Sequence, residues 1–177
     1  MTEPAPRIVV TVGTDHHPFT RLVGWVDAWA AAHPDIPVLI QRGETAAPAH
    51  ARSVPMIGYD DLVAAMAGAD LVIAQGGPGG IMDARSVGRC PVVVPRRGSL
   101  GEHVDDHQVR FCAWMAEREL VHLAESEADL HACCDRAIAE PGAFAIPPDT
   151  GAVEATVARF AELMDPLLAR RRGRRTR

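Results

Sequence analysis

Short runs of consecutive apolar residues alternate along this chain with stretches in which apolar positions recur every three or four residues. The runs are Arg7–Val12, Val38–Gln41, Leu71–Ala74 and Pro91–Val94, with two weaker ones at Val54–Ile57 and Leu120–His122. Short, apolar and largely β-branched, they predict strands. Phe19–Ala32 carries Leu22, Val23, Val26, Trp29 and Ala30 at helical spacing. Asp60–Ala67 opens with acidic residues, where the helix dipole favours them, and predicts a second helix. Ile81–Val87, His103–Glu117 and Glu127–Glu140 complete the helical set, and Gly43–Arg52 is a loop. After the proline-rich Pro141–Pro148, residues Val153, Val157, Phe160, Met164 and Leu168 form an apolar stripe along Ala152–Ala169.

Strands that are apolar throughout belong to parallel sheets covered on both faces. The pattern therefore predicts an α/β fold. A single Rossmann-like domain over residues 1–150 has a parallel sheet of about six strands with helices on both faces. A C-terminal helix over 151–169 packs on the domain or a partner, and a basic tail over 170–177 lacks fixed structure. In such a sheet, ligands bind outside the carboxyl ends of the strands.

Composition narrows the class. A chain of 177 residues, 47% apolar, can bury a core without disulfides or metals. No apolar run approaches the ~20 residues that span a bilayer, and Met1–Arg7 lacks a secretory pattern. Cys90, Cys112, Cys133 and Cys134 sit at no metal-ligand spacing and suit a core in a reducing cytoplasm. The net charge is −5, yet Arg170, Arg171, Arg172, Arg174, Arg175 and Arg177 crowd the last eight residues, which leaves −11 on the remainder. An acidic body repels nucleic acid. The arginine tail suits an acidic partner or the anionic inner face of a membrane.

Chemistry concentrates between Ala69 and Gln108. The turn Gln75-Gly76-Gly77-Pro78-Gly79-Gly80 lies between a strand and a helix, where glycines admit an anion to backbone N–H groups and the helix end adds positive potential. Val10–Thr14 brings Gly13 and Thr14 to the same edge, and Met56–Tyr59 reaches it before a helix. Arg96, Arg97 and the array Glu102–Gln108 follow the strand Val92–Val94. Such a combination suits a nucleotide diphosphate carrying a sugar.

The segments VTVGT (Val10–Thr14), the Tyr59 loop before Ala69-Asp70, GGPGG (Gly76–Gly80), VVVPR (Val92–Arg96) and EHVDDHQ (Glu102–Gln108) together resemble the carboxyl-terminal domain of glycosyltransferase family 28. The similarity covers about residues 7–125 and includes the small donor-binding subunits of two-component N-acetylglucosaminyltransferases and bacterial exopolysaccharide glycosyltransferases. It implies the donor-binding half of a GT-B enzyme. Gly13, Thr14, Gln75, Gly76, Gly77, Gly79 and Gly80 would surround the diphosphate. Ile57, Tyr59 and Asp83 would meet the base and ribose, and Glu102, Asp106, His107 and Gln108 the sugar. No catalytic residue is assigned; His107 and Arg96 are the candidates. The resemblance further implies a uridine diphosphate sugar, no metal or other cofactor, and a second, membrane-anchored subunit that binds the acceptor. It also allows a homodimer when that subunit is absent.

Two positions depart from the family pattern: Gln75 stands for the usual His, and Gly80 for the usual Ser or Thr. A degenerate donor domain with a regulatory or scaffold role is therefore the alternative reading. Asp15-His16-His17 resembles the metal motif of DHH phosphoesterases, but only six residues precede the first strand. His103 and His107, read as i,i+4 on one helix, lack the order of zinc proteases.

Overall fold

The computed structural model describes residues 4–149. Twelve elements alternate along them: β1 (Ile8–Thr11), α1 (Thr20–Ala32), β2 (Val38–Gln41), β3 (Arg52–Val54), α2 (Tyr59–Gly68), β4 (Leu71–Gln75), α3 (Pro78–Ser86), β5 (Val92–Val94), a 3-10 turn (Gly98–Leu100), α4 (His107–Ala116), β6 (His122–Leu123) and α5 (Glu127–Ala139). The six strands form one sheet in the order β3-β2-β1-β4-β5-β6, parallel throughout. This is the expected Rossmann-like α/β fold. The expected C-terminal helix and arginine tail lie outside the described residues.

Strand periodicity divides the core. Ile8, Val10, Leu71, Ile73, Val92 and Val94 pack towards α1 and α5 with Leu22, Val26, Trp29 and Leu130. Val9 and Val72 face the other way, against Met66 of α2 and Ala84 of α3. Val93 meets Ile81, Cys112 and Met115, which seats α4 on that second face. With apolar residues on both faces, the strands cannot slip by one residue without loss.

Several boundaries differ from expectation, and α3 starts at Pro78 rather than Ile81. The third strand runs Arg52–Val54 rather than Val54–Ile57, because Pro55 has no N–H to continue the ladder with β2. The last strand shifts to His122–Leu123. Helix α4 starts at His107 rather than His103, because Asp106 and Asp105 turn their carboxylates back onto the N–H groups of Gly98 (2.8 Å) and His107 (2.9 Å). His103 therefore precedes the helix.

The cysteines are free, as core residues should be. Burial pushes the Cys112 thiol up to about 12 and raises Cys134 as well, so neither is a ready nucleophile. No helix among the described residues is long and apolar enough to cross a membrane.

Candidate functional site

Strand order reverses direction between β1 and β4, and their carboxyl ends open there into a crevice. A cleft of about 440 Å³ occupies it. Its floor is Thr11, Gly13 and Thr14 after β1 and Gln75 and Gly77 after β4, and its wall is Met56, Ile57, Tyr59 and Leu62. Gly79, Gly80 and Asp83 project from α3. Nine of the residues expected at a ligand are thus together: Gly13, Thr14, Ile57, Tyr59, Gln75, Gly77, Gly79, Gly80 and Asp83.

Helix α3 begins without a side-chain cap. Gly77 is its N-cap and Pro78 takes the first helical position, where a missing N–H costs nothing. The unpaired N–H groups of the first turn, Gly79 and Gly80 among them, point out at the cleft end, so the helix terminus is an open anion seat. A Cβ on Gly79 would meet nothing within 4 Å, so packing does not require glycine there. At Gly80 it would sit 3.5 Å from Thr11 Cγ2, an ordinary contact. One turn along, Asp83 accepts a hydrogen bond from the Tyr59 hydroxyl (3.2 Å), and that carboxylate is the main cause raising the Tyr59 pKa.

Other expected residues are committed elsewhere. Gly76 is a packing glycine: a Cβ there would run into Cys112 Sγ and approach Gln108 Oε1 to 3.2 Å, so it makes room for α4. Gln108 is buried and accepts the backbone N–H of Arg96 (3.1 Å). Glu102, also buried, accepts from Arg21 Nη2 (2.7 Å) and from the backbone N–H of Arg97 (2.9 Å). Arg96 is fully enclosed. It donates to Gln75 Oε1 (2.5 Å) and to the carbonyl oxygens of Val12 (3.0 Å), His17 (2.7 Å) and Glu102 (3.0 Å), with its guanidinium 4.6 Å from the Phe19 ring centre. Arg96, a catalytic candidate from the sequence, is thus enclosed and pins three edge loops together. Desolvation lowers its pKa, against the opposing pull of Asp15 and Glu102.

Asp106 and His107, expected at the sugar, are exposed and are not among the residues lining the cleft. Beside them runs a chain of alternating imidazoles and carboxylates. His17 Nδ1 lies 2.6 Å from Asp15, Asp15 lies 3.5 Å from His103 Nε2, His103 Nδ1 lies 3.9 Å from Asp105, and Asp105 is hydrogen-bonded to His107 Nδ1. Burial works to raise the Asp15 pKa, but the hydrogen bonds from His17 and the Arg96 charge hold it below the usual range. Asp105 is lowered first by the His107 backbone hydrogen bond. Among the described residues, Asp15-His16-His17 and His103-Asp105-His107 are the two groups with metal-ligating atoms in reach of one another.

Gln41 went unnoticed in the sequence. It ends β2, is buried, lines the cleft and leaves Oε1 without a hydrogen-bond partner, while Nε2 donates to Gly13 O (3.3 Å). Its signal was a polar residue closing the buried run Val38–Ile40.

The sequence profile of the glycosyltransferase family 28 C-terminal domain matches residues 7–163. The chain belongs to this family. Solved structures similar to this family 28 domain include the kitacinnamycin glycotransferase (18% identity, TM-score 0.52), MurG from Acinetobacter baumannii (20%, 0.51) and CalG4, the calicheamicin glycosyltransferase (17%, 0.54). They share its fold. The domain aligns over 80%, 77% and 77% of its own length but 38%, 42% and 34% of theirs, so it spans about two fifths of such a protein or less. No curated protein matches the chain.

Proposed function

We propose that this domain binds a nucleotide sugar, a uridine diphosphate sugar, and acts as the donor-binding subunit of a two-component glycosyltransferase. The observation that carries the reading is the uncapped N-terminus of α3 opening into the cleft between β1 and β4, within a family 28 domain. A cleft of that size lies within the range of small-molecule sites, roughly 300–1,000 Å³.

In this reading, the N–H groups of Gly79 and Gly80 and the helix end take the diphosphate, beside Gly13, Thr14, Gln75 and Gly77. Asp83 accepts the ribose hydroxyls, displacing the Tyr59 hydroxyl, and the backbone near Ile57 pairs with the base. Asp106 and His107, exposed outside the cleft lining, meet the sugar. Glu102, Gln108 and Arg96 act indirectly, by holding the loops. The helix end and backbone amides stabilise the nucleotide diphosphate as it departs. Among the described residues no side chain is arranged as an activated nucleophile, and in this reading the domain supplies no covalent step. More than half of each aligned structure lies outside the match, which supports a second α/β half for the acceptor and its base. That half is a membrane-anchored partner polypeptide, docked by Ala152–Arg177, and it brings this domain to the cytoplasmic membrane face.

Calorimetry with uridine diphosphate tests the site. Binding should survive a chelator, and Asp83→Ala should cost about 1–3 kcal/mol of affinity, the range for hydrogen bonds to a charged group. Gly79→Ala should weaken binding while stabilising the fold by roughly 0.5–1 kcal/mol, since alanine suits a helix better than glycine. Binding untouched by both substitutions would remove the assignment. The purified chain should bind donor yet transfer nothing until the partner is added; nucleotide-sugar binding with no transfer in the partner's presence would favour the regulatory alternative.

A further inference from the structure

We propose that His103, Asp105 and His107 form a binding site for one divalent transition cation of the zinc type, with Asp15 as the carboxylate that orients His103. The ion site lies apart from the residues proposed for the diphosphate and shares His107 with the proposed sugar contact.

The donor set is two imidazoles and a carboxylate, a combination that suits zinc and its neighbours rather than magnesium or calcium. One ligand atom from each of the three residues lies within 4.8 Å of the others. His103 Nδ1 stands 3.9 Å from Asp105 Oδ1, too far for a hydrogen bond. Two metal–ligand bonds of about 2.0–2.2 Å can bridge such a gap. His107 Nδ1 is hydrogen-bonded to that same oxygen, a contact the ion would replace, and its ring centre lies 4.7 Å from that of His103.

The state of His103 Nδ1 is the decisive observation. That atom is shut off from solvent yet has no hydrogen-bond partner. The opposite ring nitrogen, Nε2, faces Asp15 Oδ2 at 3.5 Å. A histidine with a carboxylate behind one nitrogen and an unused nitrogen in front has the arrangement of a metal ligand with its outer partner. Asp15 is itself fixed, accepting from the backbone N–H (2.7 Å) and ring of His17.

The loop is also held in place before any ion arrives. Glu102, immediately before His103, is buried in its pair with Arg21, and Asp106 accepts the Gly98 N–H. Gly98 packs so closely that a Cβ there would stand 3.0 Å from the Asp105 backbone. Because His107 and Asp105 are half exposed, the remaining coordination positions face solvent and are open to water.

The test uses the full chain without an affinity tag, stripped with a chelator that is then removed. Zinc chloride is titrated by calorimetry, and cobalt chloride is followed by visible absorption. One equivalent should bind with micromolar or tighter affinity, and cobalt should develop the d–d bands of a nitrogen- and oxygen-ligated ion. His107→Gln, at an exposed position that does not threaten folding, should weaken zinc at least tenfold, and so should Asp105→Asn. Asp15→Asn should weaken it by about 10–100-fold, the range for outer-shell partners. Absence of stoichiometric binding, or binding indifferent to His107→Gln and Asp105→Asn, overturns the site. Uridine diphosphate titrated in chelator reads the donor cleft separately, so either proposal can fail without the other.

Discussion

Replacing Arg96 with methionine removes a side chain that joins the loops after β1, β4 and β5. Its guanidinium makes four hydrogen bonds, three of them to backbone carbonyl oxygens and one to Gln75, in a site with no solvent access. At about 1.5–3 kcal/mol for each bond to a charged group, the gross loss would rival the whole stability of a domain. Against it stands the desolvation of a buried cation, several kcal/mol, which the variant no longer bears. Methionine also refills much of the volume beside Phe19. The difference is a net destabilisation of about 2–4 kcal/mol, or a fall in melting temperature of roughly 5–15 °C for a domain of this size. Thermal unfolding followed by circular dichroism measures it. Coupling to the partner is read from the double variant with Gln75→Leu, whose cost should fall short of the sum of the two single costs. A melting temperature within a degree of the parent, with additive single costs, would refute the view that Arg96 holds the edge.

Other expectations follow from packing and titration. Gly76→Ala should destabilise the fold by about 1–3 kcal/mol in chemical denaturation, because its methyl collides with Cys112 and displaces α4. Ser126→Ala should cost about 1 kcal/mol in the same assay, since Ser126 and Asp129 form a reciprocal capping box at the start of α5. Asp27 accepts the backbone N–H groups of Ala49 (3.0 Å), His50 (2.8 Å) and Ala51 (2.8 Å); burial works to raise its pKa, but these bonds bring it below its usual value. Its contribution is therefore complete above about pH 4, the unfolded value, and is lost as pH falls through the lower folded value. The stability gap between the parent and Asp27→Asn should be constant from pH 7 to about pH 5 and close below pH 4; a gap that widens in acid would contradict this.

Legibility in the sequence followed the range of the interactions. β1, β2, β4 and β5 could be read because both faces of each strand are buried, which writes continuous apolar runs into the chain. The wall and floor of the cleft were legible because a glycine-rich turn between strand and helix has few other uses. The packing role of Gly76 was not legible: its glycine answers to Cys112 and Gln108 on a distant helix, and no local pattern distinguishes that from a turn made for a ligand. The enclosure of Arg96 was not legible because its acceptors are mostly backbone carbonyls, which leave no trace in residue types. The start of α4 was not legible because Asp105 and Asp106 accept the N–H groups of His107, its first residue, and of Gly98 in the preceding turn, contacts that residue types do not reveal. The link between Asp15 and His103 exists only once β1 and β5 share a sheet.

The cleft has two sides built on different terms. Its floor, from Gly13 to Gln75, is clamped by Arg96, and a change there disturbs three loops at once. Its wall is otherwise: Met56 and Tyr59 stand 56% and 65% exposed on the connection between β3 and α2. Substitutions on that wall are nearly free of folding cost, whereas those on the floor are not. A lineage of such domains could therefore exchange one ligand for another by redrawing the wall while inheriting the floor unchanged, and engineers seeking altered selectivity have the same asymmetry to work with.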